Sequence, residues 1–406
     1  MKVTSSKIKS NIRYTVILLT TLIFWGSGMY YGQFIKNNYQ SVSIRIHGEG
    51  VPLRTIERAV DNEVMKDANR IPTVTAWNCL IDQQVKNTVL STTAKTRLLE
   101  VCGDMSQVYP MELVSGIIPV KDDSNGCLLD RNTAYELFQS SDVIGNILTY
   151  QEKEYCIRGI IDTEERLIII PKVGSNHSYL NLELVYEDKE NGEQLANEFI
   201  VQNALASSYT VLDACFYSEI IGLFYLFPAW ILGLYLLFIM LKSIWERRTL
   251  PIQLIVYLII FLVAWEGIRW VMDFQLSLPD RLIPTRWSDF DFWTRKYREQ
   301  LEHWKDFAYL IPLPKDIFFF RFARRCVFYS LISTATSMFY IAHRKKLMKD
   351  CNLLYSVIVC FLLEGVAVLI LYYAGRIFTI TRGYLFMLPL FLIVITIRTK
   401  YSKIRR

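Results

Sequence analysis

From Tyr14 to Phe34 the chain runs without one charged residue (YTVILLTTLIFWGSGMYYGQF), and Lys2, Lys7, Lys9 and Arg13 stand before it. A helix needs about 20 mostly apolar residues to cross a bilayer, so this run can span one. A cleaved signal peptide would have a shorter apolar core, about 7–15 residues, ending at small residues. Here the run ends in Met29-Tyr30-Tyr31, which reads as an interfacial aromatic belt and an uncleaved anchor.

Further apolar runs follow at Ile220–Leu241, Ile252–Met272, Leu353–Ala374 and Tyr384–Ile397, with a weaker one at Cys326–Ile341. Six spans put both termini on one side. The segments then inside hold 16 Lys/Arg against two acids, Glu246 and Asp350, as the positive-inside rule requires of a cytoplasmic face. Residues 273–325 fall outside and resist the rule, with ten Lys/Arg and eight acids; Arg321, Arg324 and Arg325 are the awkward ones. The expected location is the cell membrane, multi-pass, with cytoplasmic termini and residues 35–217 extracytoplasmic.

The net charge of +6 conceals an asymmetry. Residues 33–217 carry 16 Lys/Arg and 26 Asp/Glu; the rest carries 29 and 13. An acidic, water-soluble module is joined to a basic, apolar remainder. Basic clusters beside apolar segments suit anionic lipid headgroups, and no basic patch on a soluble domain points to nucleic acid. With 52% hydrophobic residues and a mean hydropathy of +0.22, the chain is neither disordered nor composed like an ordinary soluble enzyme.

The acidic stretch reads as strands and helices in alternation. Val42–Ile46 alternates like a strand, and Pro52 opens a helix to Met65 with Ile56, Val60 and Val64 on one face. Thr73–Leu80, Val85–Thr92 and Arg97–Cys102 are rich in β-branched residues. Asp130 can cap a short helix bearing Ala134, Leu137 and Phe138. Strands are expected at Ile147–Tyr150, Tyr155–Ile161, Leu167–Ile170 and Leu180–Tyr186, then a helix at Leu195–Ala204. The stretch is long enough for an independent core.

The run Val114-Ser115-Gly116, Cys127-Leu128-Leu129-Asp130 and Ala134-Tyr135-Glu136-Leu137-Phe138 resembles the MacB-like periplasmic core domain, as do Val143-Ile144-Gly145-Asn146 and Tyr155-Cys156-Ile157-Arg158-Gly159-Ile160. Gly145 and Gly159 match the glycines of that pattern; Val143 stands where the family usually has proline. Physically, Gly145 suits a turn needing positive φ, and Gly159 a bulge or close backbone approach. The resemblance covers roughly residues 10–245. It implies a permease subunit of an ABC-type system, whose spans are moved by a separate intracellular ATPase and whose outer domain relays or senses that motion. The chain departs from the family after the second span: of its "ERR" motif only Trp245-Glu246-Arg247-Arg248 survives, Pro251 opens the next span at once, and an outer loop and a helical hairpin are added.

No GxxxxGK[ST], HExxH or GxSxG occurs. His47, His177, His303 and His343 are scattered, so neither a catalytic metal nor a bound cofactor is expected, and the chain is read as no enzyme. Among the eight cysteines, Cys79, Cys102, Cys127 and Cys156 lie in the acidic module without CxxC spacing. They are either buried thiols or disulfide partners. Cys127 and Cys156, flanking one helix–hairpin unit, make the favoured pair.

Within the apolar runs, Glu266 and Arg269 can pair at i, i+3. Glu364 sits near the middle of the fifth span, where buried charge is costly. It reads as a coupling residue or, preferentially, as a helix–helix lock with Arg376, Arg382 or an arginine of the fourth span. In the outer loop, Ser288–Asp291 fits a capping box. Trp293, Tyr297, Leu301, Trp304 and Ala308 then mark an amphipathic, interfacial helix.

The expected fold class is thus an α+β extracytoplasmic domain inserted between α-helical transmembrane segments, about six spans. Its parts are an anchor (1–34), the MacB-like domain (35–217), spans two and three (218–272), an outer loop with an amphipathic helix (273–325), and spans four to six with a basic tail (326–406). The expected function is a permease-like membrane subunit with a separate ABC ATPase touching Glu246, Arg247 and Arg248, and a homodimer or a heterodimer with a second permease. Glu266, Arg269 and Glu364 would serve intramembrane coupling or packing. The alternative is a membrane-anchored scaffold or sensor without ATPase coupling, which the short loop 242–251 favours.

Overall fold

The computed structural model describes residues 2–65, 71–163, 165–172, 174, 177–187, 191–246, 251–272, 291–309, 312–347 and 353–404. Its contacts divide it into a sheet module, Asn37–Ser218 with Leu278–Phe319, and a helical unit, Met1–Lys36, Glu219–Ser277 and Phe320–Arg406. The segment expected as a separate outer loop is thereby split, most of it counting with the module.

In chain order, α1 (Lys2–Asn38) leads into β1 (Val42–Ile46), β2 (Val51–Pro52), α2 (Leu53–Val64), β3 (Thr73–Asn87) and β4 (Thr92–Cys102). Then come β5 (Leu113–Gly116), β6 (Gly126–Asp130), α3 (Arg131–Phe138), β7 (Ile147–Tyr150), β8 (Lys153–Ile161), β9 (Leu167–Pro171), β10 (Ser178–Tyr179), β11 (Asn181–Val185), α4 (Gly192–Gln202) and β12 (Tyr209–Asp213). The remainder is helical: α5 (Ala214–Glu246), α6 (Pro251–Met272), α7 (Phe292–Tyr309), α8 (Pro314–Leu347), α9 (Leu353–Tyr373) and α10 (Arg382–Ile404).

The main sheet of the module has ten strands in the order β12-β1-β11-β3-β4-β9-β6-β8-β5, with β7 pairing β3 and β8. It is mixed: β4–β9 and β6–β8 run parallel, and its other pairs are antiparallel. Thr73–Leu80 and Val85–Thr92, expected as two strands, belong to one hairpin. The first lies wholly in β3, and a bulge between Leu80 and Gln83 breaks the β3–β4 register. The Val64 side chain, expected on the inner face of α2, is exposed; Leu53, Ile56, Ala59 and Glu63 face inward instead.

One core cluster gathers Val42, Ile44 and Ile46 of β1 with Ile56 of α2 and Phe199 and Ile200 of α4. A second packs Ala134 and Leu137 of α3 against Cys127, Ile157 and Ile168. Asp130 starts α3 as expected. Its Oδ1 accepts the amides of Asn132 and Thr133 at 2.9 and 3.0 Å, and its Oδ2 accepts the Leu167 amide at 2.9 Å, tying the helix start to β9. Gly145 adopts φ +85°. At Gly159 an added Cβ would lie 2.8 Å from the Ile117 carbonyl oxygen, beside the register shift of β6 against β8.

In the helical unit two helical stretches are long and apolar enough to cross a membrane, Thr15–Asn38 and Ala214–Lys242. Val357–Tyr373 and Arg382–Ile395 are shorter apolar helices. Of the six expected spans, two therefore meet the criterion of length and apolarity among the described residues. α1 is a hub of this unit: Trp25 Nε1 donates to the Tyr225 carbonyl of α5 at 2.8 Å, and Leu22 O accepts the Tyr384 hydroxyl of α10 at 3.1 Å. The helix expected from Cys326 begins at Pro314, because proline at the first helical position costs no hydrogen bond and Asp316 Oδ2 accepts the Leu313 amide at 3.1 Å.

Candidate functional site

The alternation of β1 gives it two buried faces. Val42, Ile44 and Ile46 enter the apolar cluster, so Ser41, Ser43 and Arg45 point the other way, and all three are buried as well. What they meet is Glu183 of β11, paired with Ser43 in the sheet register. The Glu183 side chain is 0% exposed, and five donors surround it. Oε2 accepts Ser41 Oγ at 2.8 Å, Ser43 Oγ and Lys315 Nζ at 2.7 Å; Oε1 accepts Trp77 Nε1 at 3.1 Å and Arg45 Nη1 at 3.2 Å.

Lys315 comes from the first turn of α8. Its three ammonium protons have three acceptors: Glu183 Oε2, Ser41 Oγ at 2.9 Å and the Gln107 carbonyl at 2.7 Å. The Tyr39 hydroxyl donates to the Lys315 carbonyl at 2.8 Å, and the ammonium lies 5.7 Å from the centre of the Tyr39 ring. Arg45 bridges onward to Asp316 Oδ1 at 3.3 Å and stacks over Trp77. Apolar neighbours hold the same turn: Phe319 meets Tyr39 edge-on, Phe318 meets Tyr109, and Leu313 and Phe318 pack on the cluster around Trp77 and Met105.

Burial by itself raises the Glu183 carboxyl. The charges of Lys315 and Arg45, with hydrogen bonds from Lys315 and Ser43, outweigh it and hold the group down at about 2. Burial lowers the Lys315 ammonium, and Glu183 opposes that. Burial, with Asp316 nearby, raises the Tyr39 hydroxyl, which stays a donor. The arrangement holds a lysine and a carboxylate together in a dry setting. The three ammonium protons of Lys315 and both oxygens of Glu183 are engaged, while Arg45 Nε is buried without a hydrogen-bond partner.

Two further features place this network. β12, β1 and β11 are neighbours, and Val42 of β1 pairs with Asp213 of β12. The chain therefore enters the sheet from α1 and leaves it to α5 on adjacent strands, and the α8 turn is fastened to the next strand along. Asp213 Oδ1 accepts the Phe216 amide at 2.9 Å and so caps α5.

The residues expected to matter lie elsewhere. Glu246 ends α5, and Arg247 and Arg248 lie outside the described residues. Glu266 and Arg269 form the expected i, i+3 ion pair, at 2.9 Å on an exposed face of α6. Glu364 is buried in α9 and is met by the Cys360 thiol. Among the described residues no ion pair to Arg376 or Arg382 holds it: Arg376 donates to Ser27, and Arg382 lies over the Trp270 ring. α7 is the expected helix, with Trp293, Tyr297 and Leu301 exposed, while Ser288–Phe290 of the capping box lie outside the described residues.

Cys79, Cys102, Cys127 and Cys156 are free thiols. The favoured bridge is not formed, and the pleat explains why. Cys127 pairs with Ile157 and shares its face, whereas Cys156, the next residue along, points to the other. Among the described residues no group of three or more His, Cys, Asp or Glu is placed to hold a metal. An open cleft of about 640 Å³ lies beside α3, where Arg166 pairs with Glu136 at 2.8 Å.

No protein-family model matches the chain, and no curated protein matches it. Among the solved structures similar to it are two extracytoplasmic domains. One is the periplasmic region of MacB from Actinobacillus actinomycetemcomitans, at 13% identity over 45% of this chain and 93% of that one, with a TM-score of 0.36. The other is the extracellular domain of the noncanonic ABC-type transporter YknZ from Gram-positive bacteria, at 12% identity over 42% of this chain and 99% of that one, with a TM-score of 0.33.

Proposed function

We propose that this chain is a permease-like membrane subunit of an ABC-type system, which passes motion between a partner ATPase and its extracytoplasmic module without catalysis of its own. The observation that carries this reading is the buried Lys315–Glu183 pair, which fastens the first turn of α8 to the strand beside those that continue into α1 and α5. The first turn of α8 is thus held to the sheet by a dry ion pair in which all three ammonium protons are used. The motif resemblance over residues 10–245 supplies the class; the anchored helix supplies the means. In this reading the helices form a multi-pass unit of about six spans with cytoplasmic ends. The basic clusters meet anionic lipid, and the subunit works as a homodimer or beside a second permease.

The ATPase would dock near Glu246, Arg247 and Arg248. Purification in mild detergent, beside a bona fide permease handled in parallel, tests this. An ATPase should accompany the wild-type chain and be lost on Arg247→Glu with Arg248→Glu. If none accompanies the wild type while one accompanies the control, the transport reading fails. The scaffold or sensor reading would then replace it. That second reading draws on the shortness of the link between α5, ending at Glu246, and α6, starting at Pro251.

A further inference from the structure

Glu364 stands near the middle of α9, and no other residue of Leu353–Tyr373 is charged. It is 2% exposed. Its Oε1 is met by the Cys360 thiol at 3.6 Å, one turn back, and its Oε2 has no hydrogen-bond partner. The cations next along the chain are engaged elsewhere. Arg376 Nη1 donates to Ser27 Oγ at 2.8 Å beneath the rings of Tyr31 and Tyr329, and Arg382 lies 4.5 Å from the Trp270 ring centre.

Among the described residues, α10 and α1, the two helices seen to approach α9, bring no charge to it. On α10 the titratable group is Tyr384, whose hydroxyl is given to Leu22 O, and Gly383–Thr396 holds no charged residue. α1 approaches α9 where Leu371 fills the space beside Gly26, and Tyr14–Ile35 is likewise uncharged. An ionised carboxylate here would be a buried charge without a counter-ion. A neutral carboxyl leaves one orphaned oxygen, a much smaller cost. One carboxyl and a thiol do not supply the six or so oxygens a hard cation takes.

From this geometry we infer that Glu364 is a proton-binding site: its carboxyl carries a proton in the conformation seen here and releases it when water reaches Oε2. The inference stands apart from the question of an ATPase partner, since it rests on α9 and its neighbours alone. It adds to the chain a group whose charge depends on conformation.

Dicyclohexylcarbodiimide, which partitions into apolar surroundings, reads this state. The acid proton passes to one carbodiimide nitrogen, the carboxylate oxygen adds to the central carbon, and the O-acylisourea rearranges to a stable N-acylurea with no atom lost. Membranes holding the full chain are treated, and the modified peptide is identified by mass spectrometry. Glu364 should be labelled near pH 6 and less near pH 9.5, because the carbodiimide reacts with the protonated acid. Glu364→Asp should keep the label and Glu364→Gln abolish it. A water-soluble carbodiimide should leave Glu364 unmodified. The inference is overturned if Glu364 stays unlabelled in the wild type across this range, or if the water-soluble reagent labels it equally well. If Glu364→Gln fails to accumulate, the wild-type pH profile decides by itself.

Discussion

The ammonium of Lys315 and the carboxylate of Glu183 meet at 2.7 Å, with 2% and 0% of their side chains exposed. They lie 132 positions apart in the chain. Removing one member leaves the other buried and short of a partner, which costs about 3–5 kcal/mol. Lys315→Met should therefore lower the unfolding free energy of the full-length protein by that order. Lys315→Arg should rescue little, because a planar guanidinium does not fit three acceptors set around one ammonium. Thermal unfolding of the three proteins side by side checks both statements.

Acid should unfasten the same joint. Glu183 is held at about 2, below the roughly 4.3 of an unfolded chain, so the folded protein binds fewer protons between these values. Its contribution is present in full above about pH 4.5 and is lost as pH falls through about 2, some 3 kcal/mol in all. Of the two cations that hold Glu183 down, Lys315→Met removes the one with the larger influence, so the acid-dependent part of its stability should shrink. Denaturant titrations from pH 6 to 2 would contradict this if both proteins gave parallel curves.

A fragment of residues 37–218 contains the whole sheet but lacks Lys315, Asp316, Phe318 and Phe319. It should melt below the temperature at which the module melts in the intact protein. Adding a peptide of residues 312–319 in excess should raise that temperature, by the mass action of a ligand that binds only the folded form. An unchanged melt at saturating peptide would show that the turn contributes nothing.

Asp130→Ala should cost about 1–3 kcal/mol, since one carboxylate serves the start of α3 and the edge of β9 together. Hydrogen exchange gives the specific signature. Protection should fall at the amides of Asn132, Thr133 and Leu167 before it falls at β1.

Free thiols on opposite faces predict a simple alkylation pattern. Burial pushes Cys79 up to about 11 and Cys127 higher still, so neither reacts readily in the native state. In denaturant without reductant, Cys127 and Cys156 should both be alkylated. A Cys127–Cys156 linked peptide in non-reduced digests would refute the assignment.

The strands and helices of the module were legible because their periods are local: β1, β7, α3 and the cap at Asp130 follow from spacing alone. The join of Thr73–Leu80 to the β3–β4 hairpin was hidden because a bulge mimics a break in alternation. The network was hidden for a different reason. A lysine after a proline announces a helix start, and Asp316 strengthens that signal, but nothing adjacent says that Lys315 is dry. Its burial depends on Ser41, Ser43 and Glu183, which lie far away in the chain. The alternation of Val42–Ile46 gives a strand but not its neighbours; β12 and β11, one on each side, make β1 an interior one.

Because Val42 pairs with Asp213, the two ends of the stretch 37–218 emerge side by side, as the ends of many domains do. Such a domain can be lifted out and replaced by a short loop, or exchanged as a cassette between related chains, without stretching the helices it interrupts. The α8 turn sets the condition on that exchange. A transplanted cassette that brings Glu183 to a host lacking Lys315 arrives with an acid and no base, so grafts succeed only when the two residues travel together.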